Sequence, residues 1–117
     1  HEIMWWMSRL TIMLTSLFLS FTLAAKAYAV EVQMGYDGNL VFEPSEITID
    51  AGETVTFVNN ALPPHNIIVD GRSDLSRESL MFSPGETQEI TFADAGDFNF
   101  KCAPHEGAGM KGVVHVK

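Results

Sequence analysis

One cysteine in 117 residues rules out an internal disulfide, so no covalent staple closes this chain. Basic side chains are scarce as well, seven against fifteen acidic ones, for a formal charge of −8. A surface of that sign repels nucleic acid and anionic lipid, and it is steered toward a positively charged partner. The apolar stretch Leu10 to Ala25 has only sixteen uncharged residues, short of the roughly 18 to 20 needed to cross a bilayer core. There is no internal repeat, low-complexity tract or linker, and the length leaves no room for a second catalytic domain.

What is present falls into two parts. Positions 1 to 29 hold 19 apolar residues, whereas all nine Gly and all five Pro lie in 30 to 117. Arg9 precedes the apolar run and Lys26-Ala27-Tyr28-Ala29 follows it, the small-x-small pattern of a signal peptidase site. Residues 1–29 therefore read as an export signal cut after Ala29, with Met7 as the expected start and residues 1–6 as an upstream extension. Both tryptophans, Trp5 and Trp6, would leave with it. Residues 30–117 form the remaining single domain, whose fourteen acidic side chains face only Arg72, Arg77, Lys101, Lys111 and Lys117.

That domain is punctuated every eight to twelve residues by turn signals: Asp37-Gly38-Asn39, Ala51-Gly52-Glu53, Ser83-Pro84-Gly85 and Asp94-Ala95-Gly96-Asp97. Between them, Ile47-Thr48-Ile49, Val55-Thr56-Phe57, Ile90-Thr91-Phe92 and Phe98-Asn99-Phe100-Lys101-Cys102 alternate apolar and polar residues, which puts one face inward. Runs near 30–34, 39–43, 46–50, 54–59, 66–70, 87–92, 97–102 and 112–116 predict an all-β, eight-stranded Greek-key β-sandwich. Gly71 to Phe82 fits no strand in this reading, and Ser73 to Leu80 is expected to make a turn or two of helix.

The lone thiol carries the chemistry. An exposed cysteine in an exported domain is open to oxidation, so Cys102 needs protection. It begins Cys102-Ala103-Pro104-His105-Glu106-Gly107-Ala108-Gly109-Met110, which sets thiolate, imidazole and thioether in one loop between two strands. Thiolate, two imidazoles and a weak axial thioether are the donor set of an electron-transfer copper site. His65, in Pro63-Pro64-His65-Asn66 at a junction of two strands, is the candidate for the second imidazole. Pro64 and Pro104 each stiffen the backbone before a histidine, while Gly107 and Gly109 let the loop turn back. His115, in Val114-His115-Val116, is expected to face solvent, and Met34 and Met81 to pack in the core. With only His115 left over in residues 30–117, neither a multicopper oxidase nor an open hydrolytic zinc site can be assembled there.

These residues resemble the cupredoxin family, and within it the photosynthetic members. The resemblance runs through Gly38 to Ser45, Val58-Asn59-Asn60 with Pro64-His65-Asn66, Ser83 to Glu86, and Cys102 to Met110. It implies one copper ion held by His65, Cys102, His105 and Met110 and cycling between Cu(I) and Cu(II). It also implies transient docking of a monomer, at most peripheral to a membrane, with a cytochrome f-type donor and photosystem I as acceptor in a thylakoid lumen. Asn66 would tie the two ligand loops together, and Leu40, Pro64, Gly107 and Ala108 would surround the exposed edge of His105. Lys101 departs from the family pattern, which has an aromatic residue before the cysteine; Glu106 and Lys111 also change the charge near His105. Two rivals use the same residues: pseudoazurin-like donation to a periplasmic reductase, and copper storage or delivery. Storage sites, however, call for open sulfur clusters that a single cysteine does not provide.

Overall fold

The computed structural model describes residues 30–61 and 63–117; the predicted export signal lies outside them. Among the described residues nine strands form: β1 (Val30–Met34), β2 (Phe42–Glu43), β3 (Glu46–Ile49), β4 (Thr54–Asn59), β5 (His65–Val69), β6 (Arg77–Met81), β7 (Thr87–Thr91), β8 (Gly96–Lys101) and β9 (Lys111–Val116). They make a four-stranded sheet in the order β2-β1-β4-β7 and a five-stranded sheet in the order β3-β9-β8-β5-β6. Successive strands cross repeatedly between the sheets, and two pairings, β1 with β4 and β3 with β9, are parallel.

The alternation read from the sequence is what joins the sheets. Val55, Phe57 and Asn59 of β4 point inward, as do Ile47 and Ile49 of β3 and Val114 and Val116 of β9. Phe100 and Cys102 lie two apart on the inner face of β8 and the residue run that leaves it. Three rings fill the centre: Phe42 and Phe57 both meet Phe100 edge-on, at centroid distances of 4.8 and 5.4 Å.

Two segments differ from expectation. The run 39–43 shortens to a two-residue strand because Tyr36–Gly38 is a 3-10 turn, closed by Gly35 N–H donating to the Val41 carbonyl. The span Gly71–Phe82, expected to hold no strand, contains β6. Its turn is confined to residues 72–76, where the Leu75 and Ser76 N–H groups donate to the Arg72 carbonyl. The reason β6 escapes the period-two reading is a bulge. Pairing with β5 jumps from Ile67↔Arg77 to His65↔Met81, so Glu78, Ser79 and Leu80 are all exposed and alternation is lost.

Candidate metal centre

Two connections at one end of the sandwich carry the donor side chains. The first leaves β4 and ends where β5 begins, at His65. The second links β8 to β9, running from Cys102 through a 3-10 segment, Ala103–Ala108, to Met110. It is held shut by its own backbone. Cys102 N–H donates to the Met110 carbonyl at 3.1 Å, His105 N–H to the Cys102 carbonyl at 3.1 Å, and Gly109 N–H to the Glu106 carbonyl at 2.9 Å. Gly109 sits at φ 87°, the left-handed region that lets the chain reverse into β9.

Asn66 fastens the first connection to the second. Its Oδ1 accepts from Ala103 N–H at 2.9 Å, and its Nδ2 donates to the Glu78 carbonyl in the β6 bulge at 3.1 Å. Asn59, which the sequence reading left without a role, fixes the neighbouring turn. Its Nδ2 donates to the Ser83 carbonyl at 3.1 Å, and its backbone exchanges bonds with Gly85 and Glu86.

His65, Cys102 and Met110 are fully buried, whereas His105 is half-buried. Three donor atoms converge. His65 Nδ1 lies 3.2 Å from His105 Nδ1, and Cys102 Sγ lies 3.7 Å and 3.3 Å from the two nitrogens. A triangle with these sides has its centre about 2.0 Å from every corner, the length of a metal–imidazole bond. Among the described residues this is the cluster that fits a metal ion, and its imidazole and thiol donors suit copper. Met110, buried and bonded through its carbonyl to Cys102, brings a thioether-bearing residue to the same place.

Local electrostatics favour a neutral imidazole. Burial first, then the neighbouring His105, lowers the pKa of His65, which keeps a lone pair free. Its Nε2 is buried with no hydrogen-bond partner among the described residues, while the Ala61 backbone pulls the pKa the other way. A proton held on Nε2 leaves Nδ1 as the donor. Burial raises the pKa of Cys102, opposed by backbone N–H groups of Asn66 and His105, so metal uptake must displace the thiol proton.

The other residues singled out by sequence differ in exposure. Leu40 and Pro64 are half-buried, and Pro104, Gly107 and Ala108 are exposed on the His105 loop. Lys101 lies 3.4 Å from Glu106 and 3.7 Å from Asp70, ion pairs exposed enough to contribute little to stability.

His115 is outside the donor cluster, half-exposed on the outer face of the five-stranded sheet. It is not idle there. Its Nδ1 meets Asp97 at 2.6 Å and its Nε2 meets Glu46 at 2.7 Å, joining β9 to both neighbours. Asp97 first, and Glu46 next, raise its pKa above 6.5. A raised folded-state pKa gives a contribution to stability that is complete below pH 6.5 and disappears as pH climbs through the raised value. Thermal melts of the native chain and His115→Gln will therefore differ most in acid and converge in alkali; a gap that widens with pH would contradict the pairing.

The two-sheet sandwich with a largely buried His-Cys-His donor set defines the class as cupredoxin, a mononuclear copper protein. Residues 28–117 match the model of the copper binding proteins of the plastocyanin/azurin family. Plastocyanin of Scenedesmus fuscus is 48% identical over 97 residues, covering 75% of this chain and 99% of that protein. Plastocyanin of Nostoc punctiforme is 42% identical and covers 92% and 88% respectively. In three dimensions, oxidised plastocyanin from Dryopteris crassirhizoma superposes with a TM-score of 0.67 at 32% identity, covering 75% of this chain and all of that one. Amicyanin from Paracoccus versutus gives 0.63 at 32% identity, covering 80% and 85%. This chain belongs to the plastocyanin/azurin family of copper-binding proteins, and it is a type 1 copper electron carrier that works with redox partners.

Proposed function

We propose that the chain is a plastocyanin-type shuttle, taking an electron from a cytochrome f-type donor and passing it to photosystem I in a thylakoid lumen, after export and removal of residues 1–29. His65, Cys102 and His105 would hold the copper through Nδ1, Sγ and Nδ1, and Met110 would add a weaker thioether donor. The observation that carries this reading is the convergence of the three donor atoms within 3.7 Å of one another on two stiffened connections. Bound copper supplies a one-electron couple whose potential its ligands and burial set.

The chain's own residues do the rest. His65, Cys102 and Met110 keep water away from the centre. Asn66 and the closed 102–110 loop hold the donors in place, which would keep the reorganisation that accompanies electron transfer small. His105, half-buried among exposed Pro104, Gly107 and Ala108, is the side chain through which the electron leaves.

The test is flash-induced reduction of photosystem I by the copper-loaded mature domain. Rapid reduction is expected. An intact blue site that fails to reduce photosystem I would move the assignment to the periplasmic, pseudoazurin-like role. Slow electron exchange with fast copper exchange would instead favour storage or delivery.

A further inference from the structure

We infer that Gly35 is a positioning residue for the metal centre: the side chain it lacks leaves the space in which the His65 ring is held with Nδ1 turned toward Cys102 and His105. This rests on the copper reading above and deepens it.

Gly35 is buried at the end of β1, thirty residues before His65 in the chain and directly against it in space. A Cβ built on Gly35 would lie 2.8 Å from His65 Nε2, 3.4 Å from Cδ2 and 3.3 Å from the Ala61 carbonyl oxygen. The ring cannot slide away to make room. It is fully buried and packs edge-on against the His105 ring, with centroids 5.0 Å apart. An imidazole is rigid, so any displacement of the Nε2 edge carries Nδ1 out of the donor triangle. The same methyl would also crowd the Ala61 carbonyl, which leaves the ring no room on that side.

A second glycine in the same turn separates this role from ordinary turn geometry. Gly35 has φ +76° and Gly38 φ +78°, yet nothing lies within 4 Å of a Cβ on Gly38. Both positions impose the same backbone demand, and only one touches the ligand. Asn tolerates this left-handed conformation better than other side chains, so a matched pair of Asn variants isolates the contact.

The experiment compares Gly35→Asn and Gly38→Asn with the native chain, both metal-free and with Cu(II) added. Gly35→Asn is expected to bind copper at least about ten-fold more weakly and to shift the visible bands, while Gly38→Asn stays within about two-fold. In the metal-free proteins, the His65 ring resonances in nitrogen-correlated NMR should move in Gly35→Asn alone. Equal copper affinity in the two variants, or an unmoved His65 ring, overturns the inference. If Gly35→Asn does not fold, Gly35→Asn combined with His65→Ala decides: folding regained upholds the ring contact, and folding still lost refutes it. A native chain that gives no blue band with copper would sink the copper reading itself, whereas the metal-free ring resonances would still judge Gly35.

Discussion

Cys102→Ser is expected to give a folded, colourless protein that no longer carries an electron. The intense visible band of a type 1 site arises from charge transfer between a thiolate and Cu(II), and a serine hydroxyl offers neither the soft sulfur nor an accessible anion. The substitution is nearly isosteric at a fully buried position, so the loss is chemical and the fold survives. Visible absorption after Cu(II) addition, with far-ultraviolet circular dichroism as the control, measures both. The native thiol is held above its ordinary pKa by burial, so copper uptake at neutral pH should release a proton from Cys102. Cys102→Ser has no such proton to give, and weakly buffered solutions will register the difference. A variant that stays blue would remove Cys102 from the site.

Phe100→Ala should bring the metal-free domain to the edge of unfolding. Phe100 is 2% exposed and lies between the Phe42 and Phe57 rings at the centre of the sandwich. Removing a buried phenyl ring costs about 3 to 5 kcal/mol in lost burial and cavity formation. Small domains have only about 5 to 15 kcal/mol in total. Urea unfolding followed at 222 nm gives the value directly, and copper should restore part of it because the metal binds the folded state. A loss below about 1 kcal/mol would mean that the three-ring centre is not where this domain is held together.

Much of this was readable in the chain because the physics is local. Period-two alternation marked Ile47-Thr48-Ile49 and Phe98 to Cys102, and the structure buries Ile47, Ile49, Phe100 and Cys102. The Cys102–Met110 spacing brought three donor-bearing residues into one loop without any knowledge of the fold. What escaped depends on contacts across the sequence. β6 was hidden because its bulge breaks the alternation, and the bulge is held by Asn66, twelve residues earlier. The outward direction of His115 followed from its neighbours, but its partners Asp97 and Glu46 are 18 and 69 residues away. Gly35 gave no local sign of a role beyond turning the chain, since its contact with His65 exists only once β1 has paired with β4.

The place of β9 has a consequence for biosynthesis. β9 lies between β3 and β8, and among the described residues Glu46–Ile49 finds its sheet partner in residues 113–116. A nascent chain therefore cannot complete the five-stranded layer until residues 111–116 have emerged, and closing so long a loop makes the step slow. Until then the backbone of Glu46–Ile49 has no ladder to join, and the growing polypeptide carries an open layer.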